Sequence, residues 1–200
     1  MVVALSRDAQ LLKFFAQQYP GIPRKRLVKL AYMADLIARQ YLGHPVSSFA
    51  YRADHYGPYP PTITDAIAEL EAEGLAWTQD SEPTDDGPGW KKLFDSGRRI
   101  EFDFTMEENE VLGYVVKNYL RMSMDELLED VVYVTAPYRA ATVFREQLPM
   151  DVVDNEGRRL AGFELGKVLR AERQAEAGDF LSAREYFDGL RNRIAARYAD

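Results

Sequence analysis

The chain contains no cysteine and only two histidines. The first absence excludes disulfides, a thiol nucleophile and every cysteine-based zinc or iron–sulfur site. The second leaves His44 and His55 as the whole imidazole supply. His44 lies between Gly43 and Pro45 at a predicted helix exit, where a surface ring is expected. Asp54-His55 is the one carboxylate–imidazole pair that could act as an oriented base or metal ligand, but adjacent residues in extended chain point to opposite faces. There is no H-E-x-x-H, no Walker- or Rossmann-type glycine loop and no G-x-S-x-G elbow, and Gly87-Pro88-Gly89 reads as a turn. Asp80, Glu82, Asp85 and Asp86 lack the spacing and the closing glutamate of an EF-hand loop. The sequence therefore predicts no catalytic residue, no cofactor and no metal site. Long apolar runs are missing too. None approaches the roughly 20 residues that cross a bilayer, and the N-terminus lacks the charged-then-apolar order of a signal peptide. A soluble cytoplasmic protein without membrane contact is expected.

What the sequence does hold is enough apolar material, 46% of its 200 residues, for a real core. Its net charge of −7 is unevenly spread. Residues 1–61 carry eight basic and three acidic side chains, residues 62–130 six and eighteen, and residues 131–200 eleven of each. A basic first third beside an acidic middle argues against one continuous nucleic-acid surface, because phosphate binding needs clustered cations without competing carboxylates.

Apolar spacing predicts a helix over 7–18, stopped by Tyr19-Pro20-Gly21. A second helix begins near Pro23, read as part of its first turn. Leu27, Leu30, Ala31, Ala34, Ile37, Ala38 and Tyr41 form its apolar stripe up to Gly43, so burial on one face is expected. Phe49 and Tyr51 suggest a short strand or extended loop before the breakers Gly57 to Pro61. Thr62 is the predicted cap of a helix that buries Ile63, Ala66, Ile67 and Leu70 and ends at Gly74. Leu75–Gln79 and Trp90–Phe94 form a predicted hairpin around a polar tip, and Ile100, Phe102 and Phe104 alternate like a half-buried strand.

Three capping boxes, Thr105 with Glu108, Ser123 with Glu126 and Ser182 with Glu185, announce further helices. The first buries Val111, Leu112, Val115, Val116 and Tyr119; the second buries Leu127, Leu128 and Val131; the third buries Tyr186, Phe187, Leu190 and Ile194. Val134 to Tyr138 reads as a break, Gly157 as a loop, and Phe163 to Ala177 as a helix. The expected fold is mainly α with a small antiparallel β-hairpin, winged-helix-like in element order. No internal repeat is present.

Lys29-Leu30-Ala31-Tyr32, Tyr56-Gly57-Pro58 and Leu70-Glu71-Ala72-Glu73-Gly74-Leu75 occur in an order and spacing that resembles the Panacea domain, the family of SocA-like antitoxins, over residues 24–145. The resemblance implies a non-enzymatic, protein-binding role. The partner would be a cognate toxin protein, neutralised directly or delivered to an ATP-dependent protease, in a toxin–antitoxin or phage-associated setting. On this reading residues 1–145 are the Panacea-like domain, and 146–200 are a helical extension packed on the same core, whose residues 160–198 could form a homodimer contact.

The partner-binding candidates are Arg24, Lys25, Arg26 and Lys29, a cationic cluster unfavourable at a helix start, with Tyr56, Gly57, Pro58 and Tyr59, a rigid aromatic loop. Tyr133, Pro137 and Tyr138 are candidates for the same aromatic surface. The alternative is a winged-helix DNA-binding regulator, and an uncharacterised enzyme comes third. The helix over Thr62–Glu73 holds Asp65, Glu69, Glu71 and Glu73 and no Lys or Arg, which opposes docking into a DNA groove.

Overall fold

A computed structural model describes residues 4–80 and 91–151. Readings that fall on the hairpin tip, Gly157, the 163–177 helix, the Ser182 capping box and the 160–198 dimer contact lie outside these residues. The order is α1 (Arg7–Gln18), β1 (Ile22–Pro23), α2 (Arg24–Leu42), α3 (Ile63–Ala72), β2 (Ala76–Asp80), β3 (Lys91–Asp95) and α4 (Met106–Tyr119). Then α5 (Met124–Glu126) runs into a π-helical turn, Leu127–Val132, and α6 is Ala136–Ala140. The antiparallel sheet has the order β1-β3-β2. Three helices with a short strand after the first, followed by a hairpin whose second strand pairs with that short strand, make a winged-helix arrangement with twenty residues, 43–62, inserted between α2 and α3. Among the described residues no helix is long and apolar enough to cross a membrane.

Local chemistry sets most boundaries as expected. Ser6 Oγ accepts from Ala9 N at 3.1 Å to start α1. Gly43, at φ +86°, ends α2, and capping boxes open α4 and α5. Other readings need correction. Pro23 precedes α2 as an extended residue of β1, an edge-strand position where its missing N–H costs no ladder bond. Thr62 makes no side-chain cap; α3 starts from a backbone turn, Ile63 N to Pro60 O at 3.1 Å, shaped by Pro60-Pro61.

Ile100–Phe104 is not a strand. Its alternation does put Phe102 and Phe104 on one side, stacked at 5.4 Å and edge-on to Phe14, but the segment is held by side chains instead of a ladder. Gln10 accepts from Asp103 N at 2.8 Å, and Arg7 donates to Asp103 O and pairs with Glu108. After Ser123 the widened π turn shifts the inward position, so Leu127, Leu128 and Val132 are buried and Val131 is only partly covered. The predicted break at Val134–Tyr138 is confined to its first two residues, because Pro137 sits in the first turn of α6, where its ring is tolerated.

The largest departure concerns α2. Instead of one buried face, every residue from Arg26 to Ala38 is buried, because α1, α4, the π turn and the sheet surround it. Gly21, just before β1, shows how tightly that turn closes on β3. Its φ is +68°, and a Cβ there would stand 2.6 Å from the Phe94 ring. Gly21→Ala should therefore cost about 2 kcal/mol, from left-handed strain and overpacking together, read as a lower urea midpoint with an unchanged slope.

Candidate partner-binding pocket

Helical spacing divides the cationic cluster. Arg24 and Lys25 lie one turn before Val28 and Lys29, and these four residues share a face that lines a pocket of about 370 Å³. Arg26 points elsewhere: its guanidinium donates to Leu120 O at 3.1 Å and Met122 O at 2.6 Å, holding the C-terminal end of α4. The opposite wall comes from the 43–62 insertion. Asp54, Tyr56, Gly57 and Tyr59 line it, and Lys91 is contributed by β3. Six of the eight residues expected to form a partner site thus share one cavity. Pro58 serves it from behind, its carbonyl accepting from Lys29 Nζ at 2.7 Å.

The walls are ordered by cation–aromatic contacts. Arg24 donates to Tyr59 Oη at 2.6 Å and lies 5.8 Å from that ring's centre; Lys25 Nζ stands 4.8 Å over Tyr56. Tyr56 remains about half exposed at 51%. Gly57 has φ +87°, and a Cβ on it would come within 2.9 Å of the Tyr133 ring and 3.3 Å of Lys29 Nζ, so only glycine lets the loop lie this close. Tyr133 in turn stacks on Tyr138 at 5.1 Å. Those two tyrosines, noted from sequence as aromatic-surface candidates, therefore back the loop.

Lys29 is 2% exposed. Burial, reinforced by Lys25 and partly opposed by Asp54, holds its ammonium down to about 7 from the usual 10.5. One and two helical turns on, α2 buries two more polar groups, Tyr32 of the Lys29-Leu30-Ala31-Tyr32 motif and Asp35, neither of them among the expected partner-site residues. Tyr32 Oη bonds Thr135 Oγ at 2.7 Å; because that hydroxyl donates to Val132 O, it accepts from the tyrosine. Asp35 accepts from Ser47 N at 2.8 Å, Ser47 Oγ at 2.5 Å and Tyr51 Oη at 2.7 Å. Burial outweighs these bonds and pushes its carboxyl up to about 6. The same burial raises both tyrosines above their ordinary values. Lys29, Tyr32 and Asp35, spaced by three, fasten the insertion and the chain after the π turn to α2. Their legible signal was polarity at intervals of three inside an otherwise apolar helix.

His55 and Asp54 do not form an oriented pair. Asp54 Oδ1 accepts from His55 backbone N at 2.7 Å, while the imidazole lies against Phe144 at 4.3 Å. His44 is at the surface, bonded to Pro45 O at 3.1 Å. Among the described residues no three His, Asp or Glu side chains gather where they could hold a metal ion.

The helix that would read DNA in a winged-helix regulator is α3, which exposes Asp65 and Glu71, with Glu73 exposed at its C-cap. Glu69 is engaged by Ser6, at 2.7 Å through its N and 2.5 Å through its Oγ. DNA affinity measured by anisotropy at physiological salt should not exceed the nonspecific range, about 10⁻⁴ to 10⁻⁶ M, and should fall steeply as salt is raised.

The family model described as "Antitoxin SocA-like, Panacea domain" matches residues 27–132, which include α2 from Leu27 on, the insertion, α3, the hairpin, α4 and the π turn. No curated protein and no solved structure matches the chain. With the model spanning more than half of its length, the chain belongs to the SocA-like antitoxin family and carries a Panacea domain.

Proposed function

We propose that this protein is a non-enzymatic antitoxin of the cytoplasm that neutralises a cognate toxin protein by binding it at the pocket between α2 and the 43–62 insertion. The observation that carries the reading is the meeting of Arg24, Lys25 and Lys29 with Tyr56 and Tyr59 in one open cavity, within a chain of an antitoxin family. Rigid tyrosines offer large contact area at low entropic cost, and the cations speed and orient the approach of an acidic partner.

Co-expression with the product of the adjacent gene tests it. Growth should be rescued and the two proteins captured together, in hosts with and without the ATP-dependent proteases. Rescue that needs a protease would replace direct neutralisation with delivery for degradation, and failure of both rescue and capture would remove the antitoxin reading. Tyr59→Ala should weaken capture about thirtyfold, the loss typical of a truncated aromatic anchor. Its fold should persist, since Tyr59 joins Arg52 through backbone bonds of 2.9 and 3.0 Å that do not need the ring. Calorimetry beside circular dichroism checks both statements.

A further inference from the structure

Lys13, Arg26 and Lys29 are buried cations, and their surroundings differ in kind. Lys13 pairs with Asp95 and also donates to Leu75 O at 2.9 Å. Arg26 meets two carbonyls at a helix end. Lys29, with three donors when charged, gives one of them to Pro58 O and makes no ion pair among the described residues. A buried ammonium without a counter-ion is costly, and the fold keeps this one at the wall of an open cavity.

We propose that the pocket is an oxyanion receptor in which Lys29, flanked by Arg24, Lys25 and Lys91, seats the carboxylate of an acidic side chain presented by the partner protein. The identity of the carrier rests on the antitoxin reading; the receptor itself rests on the geometry. A carboxylate on an aliphatic stem suits the site better than a bare phosphate because the cavity sets its cations beside apolar wall, which an inorganic anion would leave uncovered. Val28 and the rings of Tyr56 and Tyr59 offer apolar wall to a methylene stem. Lys25 on its own helix and Asp54 on the insertion act on Lys29 directly, Arg24 and Lys91 line the same cavity, and Tyr133, just after the π turn, closes behind Gly57. A seated carboxylate adds a negative charge that favours the ammonium over the amine, so binding just above neutral pH draws a fraction of a proton from solvent onto Lys29 Nζ.

The test uses the full chain with carbon-labelled lysine and three probes: acetyl-glutamyl-methylamide, its glutaminyl counterpart and inorganic phosphate. Following Lys29 Cε against pH, saturating glutamyl probe should move the midpoint up by about one pH unit, which is tenfold tighter binding to the charged form. The glutaminyl probe should leave it in place. Arg24→Gln should weaken the glutamyl probe several-fold with the Lys29 signal retained, and Lys29→Met should abolish binding. An unmoved midpoint, or an equal response to the glutaminyl probe, overturns the receptor. Movement by phosphate but not by the glutamyl probe overturns the carboxylate assignment. Because no toxin enters this experiment, a glutamyl response without toxin capture upholds the receptor while the antitoxin reading falls, and capture without a response does the reverse.

Discussion

Asp35→Ala should lower stability by about 4 kcal/mol, the scale on which removing one side of a buried charged network is felt. The substitution strips the acceptor from Ser47 N, Ser47 Oγ and Tyr51 Oη together, all of them buried. Asp35→Asn should cost about half as much, since one amide oxygen remains to accept where the carboxylate offered two. Both variants should also lose a pH dependence. The unfolded carboxyl ionises near 3.8 and the folded one near 6, so between those values the native state keeps a proton the unfolded chain has released. Wild-type stability therefore falls as pH rises through that window, by at most about 1.4 kcal/mol per pH unit, and this contribution is flat above it. Urea midpoints from pH 4 to 7 should show the difference between wild type and Asp35→Asn shrinking as pH rises; a difference independent of pH would mean that the carboxyl is ionised throughout.

Lys29→Met should do the opposite and stabilise the fold, by about 3 kcal/mol at pH 6. Replacing an uncompensated buried ion with an apolar side chain of similar length removes its desolvation cost, and the bond lost at Pro58 O returns only a fraction of it. The sign changes along the pH axis in a defined way. Below about 7 the lysine is charged in both states and its cost is fully present. From there to about 10.5 the native state has released a proton that the unfolded chain still holds, so wild-type stability rises with pH and the advantage of the methionine fades. Guanidinium unfolding at pH 6 and pH 9 measures this directly. A variant less stable than wild type at pH 6 would show that Lys29 is held by a partner strong enough to offset its burial. A gain in stability joined to a loss of binding is the trade expected where a fold keeps a strained group for function.

Much of this fold was legible because its signals are local. Capping boxes at Thr105 and Ser123, the glycine after α2 and the breakers after α1 depend on a few neighbouring residues, and each marks the boundary it predicts. Misreadings arose where a local pattern had a nonlocal cause. Phe102 and Phe104 alternate because they flank Phe14, with no strand beside them, and β1 is two residues long, too short to leave a period. The cavity was partly legible for the same reason: Arg24, Lys25 and Lys29 meet through helical spacing, and Tyr56 to Tyr59 form one loop. Lys91 reaches it only through the sheet, and nothing near residue 91 hints at that. The burial of Lys29 left only one trace, polarity at intervals of three in an apolar stretch, since it depends on how many neighbours surround α2.

The three polar residues of α2 also set an order in which the chain can be tied together. Asp35 to Ser47 spans 12 residues, Lys29 to Pro58 spans 29, and Tyr32 to Thr135 spans 103. Closing the longest of these loops costs about 2 kcal/mol more chain entropy than closing the shortest. On loop entropy alone, docking the insertion on α2 does not require α4 or the π turn, and the Tyr32–Thr135 bond is the costliest of the three to reach. If that bond forms after the folding barrier, Tyr32→Phe should speed unfolding and leave the folding rate unchanged, which would make the single hydroxyl pair a latch on the lifetime of the native state.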